Sequence, residues 1–158
     1  MSKTYRKGAV GAMMDEYERA ALELKQLVES ISDDSYAKLR DENTQDENCR
    51  SIQTILSHVV SSGYGYADYL RNRFEIPSTR PEKRLLSRQE ALNELDAMLN
   101  YTIETLENRW EMTEEEIERI VIQPRWGGNY HMEQLMEHAI VHILRHRRQL
   151  DKFLRSAD

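Results

Sequence analysis

The chain has 158 residues, a length that fits one core, and we predict a single domain over residues 1–158. Hydrophobic residues make up 39% and charged residues 32%, while six glycines and three prolines are too few for the turns of a many-stranded barrel or sandwich. The net charge of −6 gives no general attraction to phosphate backbones or anionic lipid. We therefore expect neither a nucleic acid nor a membrane as partner.

The single cysteine, Cys49, cannot form an internal disulfide, which suits a reducing compartment. The apolar stretch at residues 9–14 is followed at once by acidic residues and is too short for a signal peptide. No stretch approaches the roughly 18 uncharged apolar residues that a membrane span needs. These features predict a soluble cytoplasmic protein.

Apolar residues recur at three- and four-residue steps from about residue 9 to residue 31, which predicts a first helix over 9–31. The polar segment 32–50 is interpreted as a solvated loop that contains a short turn around residues 36–39. Ser51 can cap a second helix that extends to about Arg73.

Gly63 and Gly65 lie within this second helix. Because a glycine costs about 1 kcal/mol relative to alanine in a helix interior, the pair indicates close packing or a bend. Ser87 followed by Glu90 is a capping box that starts the third helix, whose apolar spacing continues to Trp110.

Further capping and turn signals divide the rest of the chain. Thr113 starts a short acidic helix, and residues 120–122 look extended. Residues 126–129 form a turn, which could also shape the mouth of a pocket. The last helix is predicted over about 131–155. Four long helices, with long connections between the first and second and between the third and fourth, predict an all-α four-helix bundle.

Histidines give the clearest functional signal. His138, His142 and His146 are spaced four apart and form a stripe on the last helix, with His142 and His146 on the interior face and His138 at its edge. Two imidazoles at positions i and i+4 can converge on one ion. His58 faces inward on the second helix and is the candidate third ligand.

Three neutral nitrogens from two facing helices would leave coordination positions for water or substrate, as in a catalytic metal site. The alternative is that these are core or boundary histidines whose nitrogens are satisfied by hydrogen bonds. The metal interpretation is favoured because burying three such groups without a shared partner is costly.

Residues 142–150 read HILRHRRQL and resemble the HxxxHRxQ signature on the last helix of the DinB/YfiT-like superfamily. Residues 51–58 read SIQTILSH and resemble that family's second-helix segment, which ends in a metal-binding histidine. The resemblance covers essentially the whole chain. Arg148 departs from the pattern, because the HRGQ form of the motif has glycine there.

The resemblance implies a four-helix bundle, often dimeric, with a divalent ion held by His58, His142 and His146. Zinc, nickel, iron and manganese are all compatible with three histidines. Characterised members of the superfamily include bacillithiol transferases and a mycothiol-dependent isomerase. We therefore expect a metal-dependent enzyme that transfers a low-molecular-weight thiol to a small electrophile. Fold kinship alone does not identify the substrate.

Five further residues are predicted around the metal. Gln149 is a candidate partner for a metal-ligating histidine. Tyr66 and Tyr69 can line the pocket, although core packing explains them as well. Ser62 lies on the same helix face as His58, and His138 is expected at the pocket edge.

Two other functions remain open at this point: a hydrolase that uses metal-bound water, and a non-catalytic dimeric bundle with a structural or vestigial metal. Val141 and Leu144 point away from the apolar stripe of the last helix and would suit a homodimer face. Cys49 has no motif around it and is not expected to be the nucleophile. His131 is expected to cap the last helix or to lie on the surface.

Overall fold

The computed structural model describes residues 2–156, which form a bundle of four long helices. The helices are Gly8–Glu29 (α1), Asp33–Ala37 (α2), Ile52–Arg73 (α3), Arg88–Leu106 (α4), Glu114–Arg119 (α5) and Met132–Arg155 (α6). Two short strands, Val121–Ile122 (β1) and Tyr130–His131 (β2), pair antiparallel. The predicted all-α four-helix bundle is confirmed, and α1, α3, α4 and α6 are its long helices.

Around the bundle, α6 packs against α1 and α3, and α4 packs against the same two helices on the other side. Gly63 of α3 shows how closely α3 and α4 approach, because a Cβ on it would lie 2.5 Å from the sulfur of Met98. The close packing expected at this glycine is confirmed. No helix within residues 2–156 combines the length and the apolar character needed to cross a bilayer.

Side-chain caps fix the starts of α3 and α4, as the sequence predicted. Ser51 Oγ accepts a hydrogen bond from Thr54 N at 3.0 Å, and Ser87 Oγ accepts one from Glu90 N at 3.2 Å. In both capping boxes a second hydrogen bond runs the other way, because the side chain of Thr54 or Glu90 accepts one from the backbone N–H of the capping serine. Each cap satisfies N–H groups that have no partner within the helix.

The third long helix ends earlier than its apolar spacing indicates. α4 stops at Leu106, and the prediction that it continues to Trp110 is wrong. The backbone leaves the helix at Glu107, and Asn108 has a left-handed φ of 65°, a conformation that asparagine tolerates better than most residues. Trp110 instead packs beside the guanidinium of Arg6, 5.1 Å from its ring centre.

The segment between α1 and α3 is packed against the bundle, so the prediction of a solvated loop is wrong for part of it. Tyr36 of α2 is 1% exposed, and its hydroxyl donates to the carbonyl of Leu86 at 3.2 Å. Residues Glu47–Cys49 form a 3-10 turn that leads directly into α3. This turn places Cys49 close to the end of the bundle that holds the histidines.

The connection between α5 and α6 is a hairpin. Val121 pairs with His131 and Ile122 with Tyr130, as expected for the extended residues 120–122. Gly127 and Gly128 have φ values of 97° and 82°, which only glycine adopts readily, so they close the loop between the strands.

Candidate metal centre

Three histidines from two helices meet at one point. His58 lies on α3, and His142 and His146 lie one turn apart on α6. The Nε2 atom of His142 is 3.0 Å from Nε2 of His58 and 3.2 Å from Nε2 of His146. The candidate ligand atoms of all three rings lie within 4.8 Å of one another. The structure therefore brings together the three residues predicted as metal ligands.

The separations between these nitrogens fit a shared ion. Nitrogen ligands about 2.0 to 2.1 Å from a tetrahedral zinc ion lie about 3.3 Å apart, close to the two Nε2 separations at this site. All three rings are partly buried, and their planes cross at 64° to 81°, so they approach the common point from different directions. Converging lone pairs of this kind are what a divalent ion requires.

Hydrogen bonding within the group does not satisfy all three rings. Nδ1 of His146 lies 3.0 Å from Oε1 of Gln149, which as a carbonyl oxygen can only accept, so Nδ1 carries the proton. Nε2 of a neutral His146 then presents a lone pair toward His142. If His142 Nε2 carries a hydrogen, it can donate that hydrogen to His146. If it carries none, it can accept one from His58. In either case, one of the two short N···N contacts has no hydrogen of its own. An ion would satisfy all three nitrogens together.

The surroundings keep these rings neutral, which is the form that binds metal. Burial, reinforced by the neighbouring histidines, lowers the pKa of His142 to about 3. Burial also lowers the pKa of His58 to about 4, with smaller effects from His146 and Lys83. The pKa of His146 is lowered by burial too, although its hydrogen bond to Gln149 opposes the shift.

His138 lies beside the three-histidine group and outside it. Its ring stacks on Trp126 with centroids 4.6 Å apart and planes 12° from parallel. On its other side the ring of His142 is 6.5 Å away, also 12° from parallel. The edge of Tyr66 contacts both His138 and His142, with centroids at 5.4 and 5.7 Å. An aromatic wall therefore covers one side of the candidate metal centre.

The hairpin brings Trp126 to this wall. Tyr69 supports the loop, because its hydroxyl accepts a hydrogen bond from the backbone N–H of Arg125 at 2.9 Å. Residues 126–129 were predicted as a turn, with a place at the pocket mouth as the alternative, and Trp126 was not named as a site residue. Sequence gives no signal for this contact, because it depends on how the hairpin packs against α3.

An open cleft of about 1150 Å³ runs beside His58. His58, Ser62, Tyr66, Tyr69 and Trp126 are among the residues that line it. Burial raises the pKa of Tyr66 to about 12, so its hydroxyl stays protonated near neutral pH. Ser62 and the two tyrosines, which were predicted as pocket residues, thus lie in the lining of a cleft that reaches His58. A second, smaller cleft reaches His142 and His138 from the hairpin side.

Two other residues singled out from the sequence are Cys49, which contacts Gln149, and His131, at the start of α6. Cys49 has its sulfur 3.9 Å from Oε1 of Gln149, a contact across 100 residues that the sequence could not indicate. Burial raises the pKa of this thiol, which disfavours the nucleophilic thiolate. His131 caps α6 by accepting from Gln134 N through Nδ1 at 3.4 Å, which confirms its predicted capping role.

Arg147 and Arg148 of the signature both point away from the three histidines. Arg147 forms an ion pair with Glu23 and so ties α6 to α1. Arg148, which replaces the glycine of the HRGQ form, is exposed. The larger side chain therefore lies at the surface of α6.

The fold and the site together define the class of protein: a four-helix bundle with a candidate metal centre of three histidines between α3 and α6. The chain matches the DinB family over residues 1–157 and belongs to that family. No curated protein matches it significantly. The structure is similar to the crystal structure of a DinB-like protein, YjoA, from Bacillus subtilis, with a TM-score of 0.66, 18% identity and 92% of each chain covered. At that identity the likeness supports a common fold.

Proposed function

We propose that this protein is a divalent-metal-dependent enzyme that transfers a low-molecular-weight thiol to a small electrophile. The observation that supports it most is the meeting of His58, His142 and His146 beside an open cleft. Within residues 2–156 this candidate group contains three histidines, so a bound ion would keep positions for water or substrate. A purely structural site is usually closed by a fourth protein ligand.

The residues of the site suit this reaction. A bound divalent ion would act as a Lewis acid and lower the pKa of a thiol that approaches it. The three neutral imidazoles would hold the ion, and Gln149 would fix the tautomer of His146. Tyr66 and Trp126 would shield one side from water. The sulfur lone pair then forms a bond to the electrophilic carbon, whose leaving group departs with its electron pair, and the thiol proton goes to solvent.

The first test is elemental analysis of protein purified without an affinity tag. We expect about one divalent ion per chain in the parent and its loss in His58→Ala and in His142→Ala, because two nitrogens hold an ion much more weakly than three. Zinc, nickel, iron and manganese are the candidates, and the same measurement identifies which one is bound. His131→Ser is the matched control, because it removes a histidine outside the group and keeps a cap on α6.

The second test is activity. A panel of small thiols and a chromogenic aryl chloride would be mixed with metal-loaded protein, chelator-treated protein and His142→Ala. We expect turnover only in the metal-loaded parent. Equal rates in all three would contradict the transferase while leaving the metal centre intact. A stoichiometric ion without any turnover would favour the non-catalytic bundle, and turnover with water in place of thiol would favour the hydrolase.

We also propose a cytoplasmic location. A reducing compartment keeps small thiols and the single cysteine in their reduced forms, which the proposed reaction needs. Fractionation of cells that produce the untagged protein from its own promoter tests this. Recovery with a secreted fraction would contradict it.

A further inference from the structure

Positive side chains line the cleft beside His58, although the chain as a whole is acidic. Arg73 ends α3, Arg80 and Lys83 lie between α3 and α4, and Arg125 lies in the hairpin. Asp68 is the single acidic residue in the lining among the residues described. The charge of the cleft is therefore opposite in sign to the net charge of −6.

Most of this positive charge stays available to a ligand. Arg80 Nε lies 3.2 Å from Oδ2 of Asp68, so this pair is partly neutralised. Lys83 donates to the amide oxygen of Asn48 at 2.9 Å, which leaves its charge uncompensated. The ion pairs formed within residues 2–156 do not include Arg73, Lys83 or Arg125.

Two of the cations can be placed relative to His58. Lys83 lines the same cleft as His58 and is held by Asn48, which lies in the turn before α3. Arg80 crosses α3 at Gly65, where its Nη1 would be 3.3 Å from an added Cβ. Because a helix rises about 1.5 Å per residue, Gly65 lies about 10 Å along α3 from His58. A small extended molecule could reach from the metal centre to Arg80.

We propose that this cleft binds the oxyanion end of the thiol substrate, so that the substrate carries a carboxylate or phosphate about 10 Å or less from its sulfur. Arg80 and Lys83 hold the anion, and Tyr66 and Trp126 contact the body of the molecule. The cleft is large enough for a molecule of this size. This inference rests on the proposed transferase for the thiol, while the anion site can be tested by itself.

The binding test uses the full-length metal-free protein, so that no ion can hold the probe. Glutarate and inorganic pyrophosphate are titrated separately, and the indole N–H signal of Trp126 is followed by NMR. We expect saturable binding of at least one probe, which also tells carboxylate from phosphate. Lys83→Gln and Arg80→Gln should each weaken it about tenfold, which corresponds to about 1.4 kcal/mol. Arg148→Gln, an exposed arginine outside the cleft, should have no effect.

The kinetic test compares glutathione, which carries carboxylates, with uncharged 2-mercaptoethanol on metal-loaded protein. Arg80→Gln should raise KM for glutathione about tenfold, leave 2-mercaptoethanol unchanged, and be rescued in part by Arg80→Lys. Turnover of both thiols with no saturable anion binding would overturn the anion site and leave the transferase standing. Anion binding without turnover of any thiol would overturn the transferase and, with it, the assignment of the anion as part of a thiol.

Discussion

Gln149 offers a sharp test of the site, because it touches a candidate ligand without being one. Its Oε1 accepts from Nδ1 of His146 at 3.0 Å and so keeps the Nε2 lone pair turned toward the ion position. Gln149→Met removes this acceptor with little change in shape. One hydrogen bond contributes about 0.5 to 1.5 kcal/mol, and partners of metal-bound histidines typically change affinity about 10- to 100-fold.

We therefore expect Gln149→Met to weaken zinc binding about tenfold, measured by competition with a chromophoric chelator at fixed pH. Gln149→Glu keeps an acceptor and adds negative charge, so it should bind zinc at least as tightly as the parent. Cys49→Ser is the control, because its sulfur lies 3.9 Å from Gln149 and makes only a weak contact. Parent-like affinity in Gln149→Met, or loss of zinc in Gln149→Glu, would refute the assigned role of this hydrogen bond.

Three further predictions follow from other parts of the structure. The pKa values of His58 and His142 are lowered to about 4 and 3, so between pH 6.5 and 4 the unfolded chain binds more protons. The metal-free protein should therefore lose stability as pH falls through this window. His58→Asn should make the free energy of unfolding, measured with urea, depend less on pH. An unchanged pH dependence in this variant would contradict the prediction. Gly63→Ala should lower the free energy of unfolding by about 1 kcal/mol, because overpacking against buried Met98 outweighs the gain in helix propensity. A higher urea midpoint would contradict this prediction and would show that Met98 and α4 can shift to make room for the added methyl group. The predicted homodimer should dissociate in Leu144→Glu, as measured by sedimentation, and a monomeric parent would refute it.

The long helices could be predicted from sequence because their signals are local. Apolar spacing identified the buried faces, and the Ser51 and Ser87 boxes fixed two starts. The same spacing failed at the end of α4, because it continues past Glu107 although the backbone has already left the helix. The burial of Tyr36 was also missed, since its partner Leu86 is 50 residues away.

The candidate metal centre could be predicted because two of its histidines lie one turn apart and the third lies on the inner face of another helix. The side chains that surround the three histidines could not be predicted from the sequence. Trp126 reaches His138 only after the hairpin folds over α3, and Cys49 reaches Gln149 only through the turn before α3. The charge of the cleft is equally hidden, because its cations come from three separate segments of an acidic chain.

We expect His58, His142 and His146 to bind one ion together. X-ray absorption of the zinc-loaded protein tests it most directly, because imidazole gives a characteristic scattering pattern. We expect three imidazole nitrogens about 2.0 to 2.1 Å from zinc. His131→Ser should give the same spectrum, and His142→Ala should lose it. A parent spectrum with fewer than three imidazoles, or one unchanged in His142→Ala, would contradict a metal site shared by the three histidines.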